Sequence, residues 1–214
     1  MALTIPYPLA FLADCLIGPE VAVTLQRFDE QSGSGDGRFW SAELARPLWT
    51  ASWALYSKGA ARAREVDAKI NALDGTQGTF LFAPPFYSGP AAGAAGSLGA
   101  VKVSGIQISD RGALSLSGLP AGQKITPGDY LSIAYGTGRY YFGQFVEGGT
   151  ASGTGQITAG LTVRPYLPLP IAANATVELA KPRFKAFVTD YRPHAISGRG
   201  RWGQGATISI MQRP

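Results

Sequence analysis

The chain has 214 residues, enough for one large domain or two small ones. Apolar residues make up 45% and charged residues only 15%, against about 25% in average globular domains, so a core can form while little surface is held in water by charge. One cysteine excludes an intrachain disulfide, and the lack of an 18-residue apolar run excludes a membrane-spanning helix.

The N-terminal stretch from Met1 to Ile17 is apolar but has no basic residue ahead of its hydrophobic run. It also carries Asp14, Pro6 and Pro8, so it reads as a mature segment, not a signal peptide. Cys15 lies among Leu12, Ala13, Leu16 and Ile17 and reads as a small core residue. Residues 20–28 alternate, with Val21, Val23 and Leu25 on one face, which predicts a strand. QSGSGDG (31–37) predicts a turn or mobile loop. Phe39 to Arg46 predicts a second strand with Trp40, Ala42 and Leu44 on one side, and Pro47 closes it. Trp49, Ala51, Trp53 and Leu55 predict a third, and the three together an antiparallel meander.

The period then changes. Ser57 is placed to cap a helix over 58–73, where Ala63, Val66, Ile70 and Leu73 form one stripe and Glu65 and Lys69 an i,i+4 pair; Gly75 stops it. GTFLF (78–82) predicts another strand. The uncharged, Pro-, Gly- and Ala-rich stretch 83–100 marks a boundary. Beyond it the texture is β throughout, with strands expected at 100–108, 113–118, 129–135, 139–146, 155–163 and 175–180 and turns rich in Gly, Asp and Pro. Phe184, Ala186 and Val188 begin a strand that Tyr191 ends, RPHAISGRGRWGQG (192–205) reads as a basic loop, and Ala206 to Met211 as a final strand. Two strands do not fold alone.

The fold expected is therefore mainly β. An antiparallel β-sandwich with one packed α-helix is built from residues 1–90 and 181–214, and a small β-barrel module, residues 97–180, is inserted into it. That module is expected to fold autonomously.

Little in the sequence points to catalysis, and no cofactor is expected. The single histidine, His194, sits in an Arg- and Gly-rich loop and reads as a polar surface residue. No G-x-S-x-G elbow, zinc set or calcium-loop spacing is present, and GGTASGTG (148–155) lacks the lysine of a phosphate loop. Arg139, Tyr140, Tyr141 and Phe142 have the chemistry of a single-strand nucleic-acid platform, but alternation sends Tyr140 and Phe142 one way and Tyr141 the other, so at least one set belongs in a core.

Charge is uneven. Residues 1–96 carry −2, residues 97–180 carry +1 and residues 181–214 carry +6. Arg192, Arg199, Arg201 and Trp202 concentrate in one loop, and arginine and tryptophan are enriched at binding hot spots. Asp29, Glu30 and Asp36 are the matching acidic candidates. Together they predict head-to-tail contact between copies of the chain.

Two stretches carry a family resemblance. WTASWALYSKGAARAREVDAKINALDGTQGTFLFAP (49–84) is similar to the strand, helix, L-x-G loop and G-x-F strand of siphophage distal tail proteins. PGDYLSIAYGTGRYYFGQFVEG (127–148), followed by GQITAGLTVRPYLP (155–168), is similar to an inserted OB-fold-like module of phage tail proteins. The long C-terminal galectin-like domain of some relatives is absent. The resemblance implies a virion structural protein of the tail tip or baseplate, made in the bacterial cytoplasm and not inserted in membranes. It implies a homohexameric ring that joins the tail tube protein to the tail hub protein, with DNA passing through its lumen without specific binding. The alternative is a β-barrel binding module for carbohydrate, a receptor or single-stranded nucleic acid.

Overall fold

A computed structural model describes residues 5–12, 20–57, 59–90, 98–109, 111–196 and 203–214. The chain is mainly β and antiparallel. The first sheet contains β1 (Val21–Gly33), β2 (Phe39–Ser57), β3 (Phe80–Phe82), β12 (Phe184–Arg192) and β14 (Gly203–Gln212), in the order β1-β2-β14-β12-β3; the short β13 (Ala195–Ile196) pairs with β14. The second runs β11-β7-β8-β10-β5-β4, built from β4 (Lys102–Ile106), β5 (Ala113–Ser117), β7 (Tyr130–Tyr135), β8 (Arg139–Phe145), β10 (Ile157–Arg164) and β11 (Val177–Glu178). Two-residue strands β6 (Lys124–Ile125) and β9 (Gly149–Thr150) pair apart from both.

Alternation explains the first sheet. Trp49, Ala51, Trp53 and Leu55 of β2, Ala206, Ile208 and Ile210 of β14, and Phe184, Ala186 and Val188 of β12 are all buried in one cluster. The one helix, α1 (Ala60–Asn71), adds Val66 and Ile70 to it, followed by Leu73 in the turn beyond. The helix starts later than the sequence predicts. Ser57 is still the last residue of β2, and Gly59 stands at the N-cap without a side-chain cap. Tyr7 ties the N-terminal segment down, donating from its hydroxyl to the Ala72 carbonyl at 3.0 Å and bridging to Phe80.

The expected three-stranded meander is corrected to a two-stranded ribbon. Pro47 does not end a strand: β2 runs through it for 19 residues. Pairing with β1 steps from Gln26↔Leu48 to Phe28↔Ala45, so Arg46 and Pro47 fall in an irregular stretch. A bulge is where a strand tolerates a residue with no N–H to donate.

The second sheet curls until its edges meet. Lys102 bridges to Thr176, Val103 N–H donates to Ala175 O at 3.0 Å, and Val177 N–H donates to Val101 O at 2.8 Å. This nearly closed barrel encloses its own core, including Val103, Leu116, Leu131, Ile133, Tyr141, Phe145, Leu161 and Val163.

The two cores meet at β8. Tyr141 points into the barrel, while its neighbour Phe142 is wholly buried in the core of the first sheet. Its ring lies 5.2 Å edge-on from Trp49, 5.0 Å from Phe184 and 5.2 Å from a stacked Tyr130. The Trp49 indole N–H donates to the Phe142 carbonyl at 2.9 Å, and the Arg183 N–H donates to the Ser132 hydroxyl at 3.0 Å. Gly143 is needed here, since a Cβ would collide with the Tyr141 phenol. Excising residues 97–180 therefore also strips Phe142 and Tyr130 from the other core.

Phe142→Ala is expected to cost about 3–5 kcal/mol, the usual range for an aromatic cavity. Denaturant unfolding followed by Trp fluorescence and by far-UV circular dichroism checks it. The two probes should shift together in one transition.

Candidate assembly surface

Beyond Trp49 the first sheet thins to two strands. β14 pairs with β2 only between Thr50 and Ser57, whereas β1 accompanies β2 out to Phe39. The outer half of the ribbon, residues 29–46, is exposed on both strands. Its tip is a tight turn: Ser34 N–H donates to Arg38 O at 2.9 Å, Gly37 takes φ 83°, and the Asp36 carboxylate accepts from the Ser34 hydroxyl and the Arg38 N–H. Those two hydrogen bonds, the hydroxyl's foremost, hold the Asp36 carboxyl below its usual range.

This arm carries exposed apolar side chains: Phe39 is 81% exposed, Trp40 66% and Leu44 68%. It also carries acidic groups. Asp29 stands directly opposite Glu43, and Glu30 opposite Ala42. Like charges facing across a ladder destabilise it, and Arg27, 3.9 Å from Asp29, offsets this only weakly as an exposed partner. An incoming cation would relieve that repulsion.

Of the residues singled out from sequence, the structure gathers Asp29, Glu30 and Asp36 on this arm. Arg192 is exposed at the far end of β12, opposite Thr207, which in turn pairs with Ala54 of β2. Glu43 lies eleven positions before Ala54 along β2, so Arg192 is roughly 35 Å from the acidic arm at about 3.3 Å per residue. Within one chain Arg192 does not reach the acidic three. Arg199, Arg201 and Trp202 lie outside the described residues, as does Cys15. Sequence reading placed Trp40 and Leu44 on a strand face without recognising that no core covers it. The signal was present: opposite them runs Asp29, Glu30, Gln31 and Ser32, with no apolar residue to share a core.

His194 is corrected from a surface position. It is buried at the turn between β12 and β13, where β13 folds back on β14, and neither ring nitrogen has a partner among the described residues. Tyr141 and Phe142 are both buried, which removes them from any base-stacking platform. No helix among the described residues is long and apolar enough to cross a membrane. No protein-family model matches the chain, and no curated protein matches it.

Glu43→Lys is expected to stabilise the arm, by about 0.2–1 kcal/mol, by replacing a like-charge pair with an opposite one. The same substitution should slow self-association. Thermal melting reads the first effect and light scattering over a concentration series the second.

Proposed function

We propose that the chain is a structural protein of a bacteriophage tail tip, a distal tail protein that assembles with copies of itself into a hexameric ring. The ring joins the tail tube to the hub and keeps a channel open for DNA, which passes without specific binding. The observation that carries this reading is the arm. A two-stranded ribbon with no core of its own is marginal in water, and one bearing exposed Phe39, Trp40 and Leu44 is a surface awaiting a partner.

The charge layout supports a head-to-tail arrangement. The acidic arm projects from one end of the sheet and Arg192 lies at the other, so each copy offers its arm to the basic end of the next. A contact between two different surfaces closes into a ring when the rotation allows. Opposite charge would set register and speed encounter, while buried apolar area supplies most of the affinity. The low charge content of the chain fits burial against several neighbours. The phage assignment rests on the resemblance of residues 49–84 and 127–168 to distal tail proteins.

The test is mass in solution. Native mass spectrometry should find a closed oligomer of six copies in the unaltered chain. Phe39→Ser with Trp40→Ser should leave a monomer whose melting temperature is unchanged, because neither side chain touches the core. A chain that stays monomeric at high concentration contradicts the reading, and so does an arm variant that assembles as well as the original.

A further inference from the structure

A cleft of ≈ 210 Å³ runs along the seam between the first sheet and the barrel, lined by Arg46, Leu48, Tyr135, Tyr140, Tyr166 and Gln212 among others. Past Arg46, Tyr135 and Pro168 it continues into a more open recess that reaches Arg139 and Pro170. Together they form an elongated groove. Glu43 and Arg46 of its lining stand at the base of the arm, and none of its residues comes from the turn at the arm's tip.

The groove is built and held. Arg111 donates to three carbonyls of one wall, Leu167 at 3.1 Å, Pro168 at 2.7 Å and Ile171 at 2.7 Å. The Tyr141 hydroxyl donates to Pro165 O at 2.6 Å, and the Arg164 guanidinium lies 4.4 Å from the centre of the Tyr166 ring. A wall fixed in this way loses little entropy when a ligand arrives.

Its polar side chains are phenols, two guanidiniums, one carboxylate and one amide. Gln212 is 6% exposed, and its Oε1 accepts the Trp49 N–H at 3.3 Å. Among the described residues the phenols of Tyr135 and Tyr140 have no hydrogen-bond partner, and neither Arg46 nor Arg139 is in an ion pair. The one side-chain carboxylate of the lining is Glu43, which is exposed.

Tyrosine and proline faces beside two arginines match one kind of chain. A proline-rich segment in the polyproline II form presents unpaired carbonyls, lacks N–H groups at its prolines, and is extended before it binds. Aromatic-lined grooves recognise such segments. The two unpaired guanidiniums add a preference for negative charge.

We propose that this groove docks an extended, proline-rich segment of a partner protein that carries an acidic residue beside its prolines. The inference does not rest on ring assembly. It is tested by calorimetric titration of the full chain with a hexaproline peptide ending in aspartate, with the glycine analogue of that peptide, and with maltohexaose. Saturable binding of the proline peptide is expected, weakened about tenfold or more by Arg46→Ala, by Tyr140→Ala and by the change to glycine. Arg46 is exposed and in no ion pair, so its variant keeps the test valid if Tyr140→Ala fails to fold. Absence of binding, equal binding by Arg46→Ala, or preference for the oligosaccharide would overturn the proposal.

Discussion

The contact on which the rest depends is the Trp49 indole set edge-on against Phe142 and hydrogen-bonded to its carbonyl. From it an unbroken line of rings extends through Phe184 and Phe82 to Trp53 on one side, and through Tyr130 to Tyr87 on the other. Aromatic pairs of this geometry add about 0.5–1.5 kcal/mol each beyond their buried area. Placing one such side chain from β8 inside the core of the first sheet makes each core complete only when the other is present. The barrel is inserted in sequence, yet it contributes a wall to its host.

That coupling ties the two cores together. Among the described residues, the outer half of the β1–β2 ribbon has neither a third strand nor a covered face, and β1 is an edge strand. Natural edges of this kind are blunted by charge, and here Arg27, Asp29 and Glu30 do so on β1. The same carboxylates crowd one another across the ladder at Asp29 and Glu43. The groove at the arm's base is different in kind, because Arg111 and Tyr141 hold its wall in place before any ligand arrives.

Strand positions were largely legible where a strand buries one face and exposes the other, so Val21, Val23 and Leu25 or Trp49, Ala51 and Trp53 announce themselves by alternation. The helix was legible from the spacing of Ala63, Val66 and Ile70, though its start was not, since Ser57 pairs in the sheet before it could cap. Pro47 misled because a proline ends a ladder locally, and a bulge absorbed it. Alternation put at least one of Tyr141 and Phe142 in a core; both are inside because β8 lies between two cores, a fact of tertiary packing. His194 is buried between Pro193 and Ala195, which are exposed, so the polar stretch around it carried no sign of its burial. Of the charged candidates, the acidic three were brought together by a hairpin visible in QSGSGDG. The groove was not legible, because Arg46, Tyr140 and Gln212 come from three distant parts of the chain.

The most direct measurement is hydrogen exchange at the Trp49 indole N–H, read by NMR beside the backbone amides of Ile208 in the first sheet and Ile133 in the barrel. If the two cores are one cooperative unit, all three exchange only through global unfolding and show the same free energy of opening. Exchange of the indole well before the two amides would contradict the account, as would a barrel amide that stays protected after the first sheet has opened.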